Sequence, residues 1–379
     1  MQNELDRFFQ GLLNHPIPIH KVSDSAICQA RLKLKSSAFV ELNKIQVDYY
    51  YENFEITTWL GHRLFAIDGS AIELPNSGEI RNYFGVHFIN DHKKEVSLAR
   101  LSQCFDVLNH IIIDSEIGLY NGKGSGEQEC AIKHIACLKE GDVILVDRNY
   151  ACFYLLSLLK SKNIQHCSRL KTGSWNLAKE LLKSDAMEMY GEILPSKASK
   201  KKCQQLGISI DPIKVRLVKV VLETGEVEVL MTSLLDNEKY DISMFGELYF
   251  SRWSIEEEYK EFKHKLEIEN FSGKSVLSIQ QDVYAKVFTA NITTILTKQA
   301  QNILLTKKGK HFYKVNRTNA YSKMKNILSI LLDPEKRSKY LTSVLNLFLI
   351  KPIPIRKNRV YERNFGIHAR RYYMNYKAC

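Results

Sequence analysis

Apolar residues recur at helical spacing through the first 58 positions of the chain. Leu5 to Leu13 is a short amphipathic run that ends before a proline, and Ala38 to Tyr51 is a longer run of the same kind. Between them, Ser23 or Asp24 can cap another helix. The spacing therefore predicts an N-terminal helical region over residues 1–58.

From Thr57 the pattern changes to short apolar runs typical of strands. Arg63 to Asp68 ends on an acidic residue and leads into a predicted Gly turn, and Gly141 to Asp147 ends on an acidic residue in the same way. Further strand-like runs lie within residues 99–113 and 164–170, and helical patterns cover residues 127–138, 150–160 and 278–304. Strands that first form hairpins and then alternate with helices predict an α/β fold with a mixed sheet.

Residues 171–240 do not fit the pattern of this core sheet. Residues 194–202 are rich in Ser and Lys, whereas 215–222 and 227–232 read as a hairpin around Thr224 and Gly225. We therefore expect a β-rich insertion at about 171–240.

The stretch from Tyr249 to Lys263 carries the most distinctive polar pattern when it is treated as one helix at about 100° per residue. Tyr249, Arg252, Glu256 and Lys263 then share an arc of about 60°, whereas Glu257 and Glu258 point elsewhere. The shared arc follows one edge of an apolar stripe, which consists of Leu248, Ile255, Tyr259, Phe262 and Leu266. Glu256 is therefore the candidate among three consecutive glutamates.

Three carboxylates can converge on one site if the strands and the helix meet. Asp68 and Asp147 follow apolar strands, and strand ends of an open α/β sheet are where ligand sites form. Together with Glu256 they offer the oxygen ligands that hard divalent cations prefer. The alternatives are a turn residue for Asp68 and a helix cap for Asp147.

A second apparent metal motif has a simpler explanation. Cys130, His134 and Cys137 fall on one helical face, but that face must also pack on the sheet and a fourth ligand is not evident. We predict that these residues pack in the core.

Charge adds a partner to this picture. The chain has 379 residues and a net charge of +12. Residues 301–379 contain 18 Lys/Arg and 3 Asp/Glu, a net charge of +15, and the other 300 residues contain 36 and 39, a net charge of −3. A basic C-terminal region favours binding to a polyanion, above all nucleic acid.

The C-terminal region, residues 306–379, combines two helical patterns with a basic end. The helical patterns cover residues 320–332 and 338–349. Residues 356–377 alternate Arg and Lys with aromatic side chains, which suits phosphate contacts plus stacking and is equally typical of a disordered tail.

Composition also restricts the cellular setting. Stretches of 18 apolar residues and a signal-peptide core are absent from the sequence, so we expect no membrane association. The eight cysteines form no CxxC pair, which favours reduced thiols in a cytoplasmic protein.

The spacing of Tyr249, Arg252, Glu256 and Lys263 resembles the Tyr-Arg-Glu-Lys signature of a bacterial insertion-sequence family within the DDE transposases. The Asp-Gly-Ser at Asp68 and the Asp-Arg-Asn-Tyr at Asp147 look like the first and second aspartate motifs of that family. The resemblance runs in the expected order from about residue 20 to about residue 330. It implies an RNase H-like catalytic domain over residues 59–305, with the β-rich insertion inside it.

The resemblance also implies a chemistry. Asp68, Asp147 and Glu256 would bind two Mg²⁺ ions, for which Mn²⁺ can substitute, and Tyr249, Arg252 and Lys263 would contact DNA phosphate. The reaction would be strand cleavage at transposon ends followed by strand transfer into target DNA. The partners would be double-stranded DNA and a second copy of the chain, in a nucleoid-associated homodimer.

Several features leave alternatives open. Residues 1–58 either help to bind transposon ends, with Arg31, Lys33 and Lys35, or form a helical cap on the next domain. Some members of the family use an aromatic residue of the insertion to hold a flipped base, but Glu228 stands at that place; Trp175 and Tyr190 are candidate substitutes, with core packing favoured for both. The rival functions are a catalytically inactive DNA-binding relative and another RNase H-like nuclease.

Overall fold

The computed structural model describes residues 2–89, 94–122, 124, 126–171, 173, 175–222, 224–306, 311–331 and 333–355. The chain divides into two compact units. The first consists of Met1–Tyr50, Glu73–Ser97 and Lys260–Cys379, and the second of Tyr51–Ile72 and Leu98–Tyr259. The first unit thus combines sequence from the predicted N-terminal, catalytic and C-terminal regions.

A single sheet runs through the second unit. Its strands are β1 (Leu64–Leu74), β3 (Lys94–Asp106), β4 (Ile111–Leu119), β5 (Val143–Val146), β6 (Gln165–Arg169), β7 (Glu188–Ile193), β8 (Ile213–Val221) and β9 (Val227–Thr232). Their order across the sheet is β4-β3-β1-β5-β6-β9-β8-β7. β1, β5 and β6 are parallel, whereas β3 pairs antiparallel with β4 and β9 pairs antiparallel with both β6 and β8.

The predicted mixed α/β fold is confirmed by this sheet. Strands β1, β3 and β4 occupy one side, and the parallel strands β5 and β6 continue beyond β1. This order, with a hairpin at one edge and parallel strands at the centre, is consistent with the RNase H-like core that the sequence resemblance implies.

The expectation that residues 171–240 lie apart from the core sheet is wrong. Strands β8 and β9 do form the predicted hairpin, but β9 also pairs with β6 through Cys167 opposite Thr232 and Arg169 opposite Leu230. β7 then extends the sheet by pairing with β8. This segment is therefore β-rich, as predicted, and its strands continue the core sheet.

Helices of the second unit cover the sheet and its extension. They are α5 (Glu127–Ile135), α6 (Phe153–Ser161), α7 (Asn176–Lys183), α8 (Lys197–Leu206), α9 (Met244–Phe250) and the first part of α10 (Trp253–His264). One hydrophobic core joins α5 and α6 to β1, β5 and the insertion, with Phe65, Ile135, Leu156 and Met231 all nearly inaccessible to solvent. This core fixes the strands that carry the candidate aspartates.

The first unit is mainly helical. It contains α1 (Gln2–Leu12), α2 (Asp24–Lys33), most of α3 (Ser37–Asn53), α4 (Gly78–Phe84), β2 (His87–Ile89), α11 (Val276–Thr306), β10 (Phe312–Lys314), α12 (Arg317–Leu331), α13 (Pro334–Phe348) and β11 (Ile353–Ile355). β2 pairs with the first residues of β3, and β10 pairs with β11. The helices predicted for residues 1–58 are confirmed, and the Ser23 hydroxyl caps α2 by accepting from the Ala26 amide at 3.2 Å.

Arg31, one of the basic residues near the N-terminus, makes contacts within the first unit. Arg31 donates hydrogen bonds to Ser272 at 2.6 Å and to Asp282 at 3.2 Å, so its guanidinium is held by the same unit. A second core joins α11 to α12 and α13, with Leu304, Met324 and Phe348 buried. None of the described helices is long and apolar enough to cross a membrane.

Candidate active site

Asp68 lies within β1 and not at its end. The strand continues through Gly69 to Leu74, so the predicted Gly turn is wrong. β1 has β3 and β5 as neighbours, but its pairing with β5 covers only Leu64 to Ala66, so the extended backbone at Asp68 and Gly69 continues past that pairing. The Asp68 side chain is only 23% exposed, and one of its oxygens accepts from the Gly69 amide at 2.8 Å.

The environment of Asp68 changes its acidity. Burial raises the pKa of the Asp68 carboxyl to about 6, although the Gly69 amide and the Arg252 guanidinium oppose the shift. The charges of Asp147 and Glu256 raise this pKa further. The three candidate carboxylates are therefore close enough to influence one another.

Asp147 directly follows β5, as predicted. Its carboxylate accepts from the Asn149 amide at 2.8 Å, which closes a local turn. Helix α6 begins only at Phe153. Asp147 is therefore not the cap of the next helix, and that alternative is wrong.

The single helix predicted from Tyr249 to Lys263 is interrupted. α9 ends at Phe250 and α10 begins at Trp253, with Ser251 and Arg252 in a turn between them. The Ser251 hydroxyl donates to the Leu248 carbonyl at 2.6 Å, a side-chain bond that competes with the helical backbone pattern. The apolar residues nevertheless face inward, since Leu248, Ile255, Tyr259 and Phe262 are buried.

Arg252 joins two of the candidate carboxylates. Its Nη2 donates to Glu256 Oε1 at 2.9 Å, and its Nη1 lies 3.7 Å from Asp68 Oδ2. Only 6% of the residue is exposed, and its guanidinium also lies over the rings of Trp253 and Tyr249. A buried cation therefore stands between acidic groups from β1 and α10.

The two glutamates that follow Glu256 differ from each other in burial. Glu257 is exposed, whereas Glu258 is buried. Tyr259 donates its hydroxyl to the Asp68 carbonyl at 2.7 Å, which ties α10 to β1. Lys263 lies on the part of α10 that belongs to the first unit, two helical turns after Glu256.

Four buried polar atoms near the acidic cluster have no hydrogen-bond partner among the described residues. They are the hydroxyls of Tyr150 and Tyr249 and the Nε atoms of Arg100 and Arg252. Burial, together with the charges of Asp68, Glu127 and Asp147, raises the pKa of the Tyr150 phenol. Because an unpaired buried donor costs about 1–3 kcal/mol, these groups are suited to a ligand or water that supplies acceptors.

The donor chemistry at the cluster fits a divalent cation. Asp68, Asp147 and Glu256 offer carboxylate oxygens, the ligands that Mg²⁺ prefers. Within the described ranges, however, no three His, Cys, Asp or Glu side chains are close enough to hold a metal ion as they stand. The Arg252 guanidinium instead contacts two of the carboxylates.

Cys130 and His134 are buried, as predicted, but the prediction is wrong for Cys137, which is exposed beyond the end of α5. His134 is fully buried, and its ring nitrogens lie 3.0 Å from the Ser102 hydroxyl and 2.6 Å from Asp114 Oδ2. These contacts with β3 and β4 explain a histidine at this position without a metal.

The position expected for a base-holding aromatic carries an ion pair. Glu228, on β9, lies 2.9 Å from Arg169 on the neighbouring strand β6. Trp175 packs partly buried against the main core, and Tyr190 is 47% exposed, with its ring 5.6 Å from the Arg216 guanidinium carbon.

Sequence reasoning missed two residues beside the aspartates, Arg100 and Glu127. They form an ion pair of 2.7 Å between β3 and the first turn of α5. In the sequence, Glu127 looks like an ordinary acidic residue at a helix N-terminus and Arg100 like a polar position in a strand. Periodicity alone offers no signal that the two meet.

Comparison with known proteins identifies the family of the chain. The sequence profile of the transposase DDE domain matches residues 59–292, which is more than half of the chain. This range includes both aspartates, Glu256 and Arg252. The chain therefore belongs to the DDE transposase family.

Individual relatives point to bacterial insertion sequences. The chain is 24% identical over 310 residues to the transposase InsG for insertion sequence element IS4 of Escherichia coli K12, a match that covers 79% of this chain and 66% of InsG. It is 26% identical over 164 residues to the putative transposase InsZ of the same organism, covering 42% of this chain and 52% of InsZ. The chain thus spans less than two thirds of the length of either relative.

A distant structural likeness accompanies these matches. A piggyBac transposase in a synaptic complex with hairpin DNA aligns with 81% of this chain and 60% of its own, at 9% identity and a TM-score of 0.45. Similarity at that level carries no argument about the site.

Proposed function

We propose that this protein is a DNA transposase that cleaves strands at transposon ends and transfers them into target DNA. The observation that supports the proposal is the contact of buried Arg252 with Asp68 and Glu256, with Asp147 near enough to raise the pKa of Asp68, in a chain of the DDE transposase family. A site that gathers carboxylates at this cost of desolvation is typical of a functional centre.

Asp68, Asp147 and Glu256 are the residues that would hold two divalent ions, Mg²⁺ or in its place Mn²⁺. When bound, such ions stabilise negative charge on the attacking and leaving oxygens of a phosphodiester displacement. The protein's own contribution is to keep the three carboxylates on β1, after β5 and on α10, where the surrounding core fixes their backbones. The Arg252 guanidinium contacts one oxygen of Asp68 and one of Glu256, and each carboxylate has further lone pairs for a metal ion.

Arg252, Tyr249 and Lys263 are proposed to contact DNA phosphate. Arg252 Nε and the Tyr249 hydroxyl are buried donors without partners among the described residues, and phosphate oxygens would supply the missing acceptors. Once released from a carboxylate, the planar guanidinium of Arg252 can donate two bonds to one phosphate. The further proposals are a homodimer that pairs two DNA ends, nucleoid association and a contribution of residues 1–58 to end binding.

A cleavage assay tests this function directly. The protein is incubated with duplex DNA that carries its own element's ends, with Mg²⁺ or with EDTA, and the cut strands are mapped on denaturing gels. Asp68→Ala, Asp147→Ala and Glu256→Ala should each abolish cleavage and leave end binding nearly unchanged, because affinity for DNA comes mostly from phosphate contacts by basic residues.

Glu257→Ala is the matched control, since Glu257 is exposed on the same helix. It should cut like the parent protein. Robust cleavage by Asp147→Ala would overturn the metal-site assignment, and binding without cleavage by the parent would favour a catalytically inactive relative.

A further inference from the structure

The ion pair of Arg100 and Glu127 lies close to the residue after Asp68 and to the loop after Asp147. Arg100 Nη1 is 2.7 Å from Glu127 Oε1, and Arg100 Nη2 donates to the Tyr120 carbonyl at 3.1 Å. The Arg100 side chain is 15% exposed and the Glu127 side chain 30% exposed. A pair this well shielded is held in one geometry far more firmly than a surface pair.

The pair touches the strand that carries the first aspartate. A Cβ atom added at Gly69 would lie 3.5 Å from Arg100 Nη1 and 3.6 Å from Glu127 Cγ. The ion pair therefore lies about one methyl group's width from the backbone next to Asp68, at a distance that a Cβ atom would fill in ordinary van der Waals contact.

The other carboxylate oxygen of Glu127 faces the loop of the second aspartate. Glu127 Oε2 accepts from the Asn149 side-chain amide at 3.4 Å, and the Asn149 backbone amide donates to Asp147 Oδ1 at 2.8 Å. The Asn149 carbonyl in turn accepts from the Gln128 side chain at 2.6 Å. Two consecutive residues of α5 thus hold Asn149, and Asn149 holds the Asp147 carboxylate.

We propose that Glu127, fixed by Arg100, is a positioning residue that sets the Asp147 carboxylate relative to Asp68 through Asn149. This inference rests on the proposed function. It gives a role at the same site to residues outside the three acidic motifs. Partners of this kind orient the groups that bind a metal, and their loss typically costs about 10–100-fold in metal affinity or activity. Glu127 itself keeps its ion pair with Arg100.

The test compares Glu127→Ala, Asn149→Ala and the double variant in the full-length protein. We expect single-turnover cleavage of end-bearing DNA to slow by about 10–100-fold in each single variant, with the Kd for DNA changed by less than about threefold. Because the two residues act in one chain of contacts, the double variant should be little slower than either single variant. A residue that only supported folding would not produce that non-additivity.

A second measurement separates this inference from the proposed function. Mn²⁺ affinity is determined by titration calorimetry without DNA, and Glu127→Ala and Asn149→Ala should both weaken it by about tenfold or more. Asn149 is exposed, so Asn149→Ala tests the idea even if Glu127→Ala folds poorly.

Glu129→Ala is the matched control, since Glu129 lies in the same first turn of α5 and faces Lys202 at 3.9 Å. It should keep parental cleavage and Mn²⁺ affinity. If the parent protein cuts DNA and the Glu127 and Asn149 variants behave like Glu129→Ala in both assays, the positioning role is wrong while the function stands. If the parent fails to cut, the proposed function fails, and the Mn²⁺ titrations still decide the positioning role.

Discussion

Asp68 is the residue whose chemistry depends most on its surroundings. Its pKa of about 6, compared with an ordinary value of 3.8, means that the ionised side chain is held in an unfavourable place. A pKa of about 6 in place of 3.8 corresponds to about 3 kcal/mol between the protonated and ionised forms. Such a loss of stability is expected where an ionised group serves to bind a ligand that is absent from the free protein.

We expect Asp68→Asn to stabilise the metal-free protein at pH 8 by roughly 1–3 kcal/mol, because asparagine resembles the neutral acid. The folded-state pKa is raised, so the cost of ionisation is absent below about pH 4, grows as the pH rises towards 6, and is complete above it. The gain should therefore shrink to near zero at pH 4. Denaturant unfolding in EDTA across this pH range measures it.

Asp185→Asn is the control, since Asp185 is exposed. It should change the free energy of unfolding by less than about 0.5 kcal/mol at any of these pH values. An Asp68→Asn protein that is equally or less stable than the parent at pH 8 would contradict the strained-carboxylate interpretation.

Arg252 is the second residue with an environment-dependent role. Arg252→Lys keeps the charge but loses the planar fork that reaches Glu256 and Asp68 together. We expect Arg252→Lys and Lys263→Ala to retain Mn²⁺ binding and to reduce cleavage and strand transfer at specific ends by at least about tenfold. Calorimetry and a strand-transfer assay measure the two properties separately.

Lys260→Ala, an exposed change on the same helix, is the comparison for this experiment. If Arg252→Lys and Lys263→Ala both cut and join end-bearing DNA as well as Lys260→Ala does, the Tyr-Arg-Glu-Lys pattern is only a polar helix edge.

At the scale of elements, periodicity predicted most helices and strands but not their limits. The helices of residues 1–58 and the hairpin of β8 and β9 follow from side-chain pattern, because each element buries one face. β1 continues past Gly69 to Leu74, beyond its pairing with β5, and no local sequence pattern predicts that extension. The break at Ser251 depends on one side-chain bond to the Leu248 carbonyl.

The candidate site shows the same limit. Asp68, Asp147 and Glu256 could be predicted because each follows or lies in a recognisable element and because their order resembles a known family. The contact of Arg252 with Glu256 was within reach of the i, i+4 rule. The Arg100–Glu127 pair was not, because it joins residues 27 positions apart through the packing of α5 on the sheet.

Within the insertion, a buried arginine on β8 is paired with a glutamate on the edge strand β7. Arg216 on β8 is 1% exposed, and it donates to Glu188 on β7 at 2.7 Å and to the Tyr240 carbonyl at 2.7 Å. Removal of Glu188 leaves a buried guanidinium with half its partners gone. We expect Glu188→Ala to lower the free energy of unfolding by about 2–4 kcal/mol, measured by urea denaturation.

Glu192→Ala serves as its control, because Glu192 is exposed on the same strand. That change should cost less than about 1 kcal/mol. Equal midpoints for the two variants would mean that the Arg216 contacts do not hold β7 in place.

At the scale of the whole molecule, the division into units could not be predicted from the chain order. The sequence suggested three consecutive regions, with limits at residues 58 and 305. Because α3, β1, β3 and α10 each cross a unit boundary, the first unit collects three separate segments. Charge is simpler, since it can be counted: the positive excess lies after residue 300.

The basic end of the chain, residues 356–379, lies outside the described residues, and its proposed role in DNA binding rests on composition. It contains seven basic residues, namely Arg356, Lys357, Arg359, Arg363, Arg370, Arg371 and Lys377. Each phosphate that such a residue neutralises on duplex DNA contributes a slope of about −0.9 in log K against log salt concentration. Removal of residues 356–379 should therefore weaken DNA association and flatten that slope by up to about 6.

Fluorescence anisotropy on a fixed duplex between 50 and 300 mM salt measures both quantities, with salt values chosen to span the range in which counterion release dominates. A full-length variant with the same seven residues changed to Gln controls for the loss of chain length. If the truncated protein and the Gln variant show the same flattened slope, the effect is due to charge. A slope equal to the parent's in both would show that the basic end serves a protein partner or solubility, and the DNA contacts would then have to come from the described part of the chain.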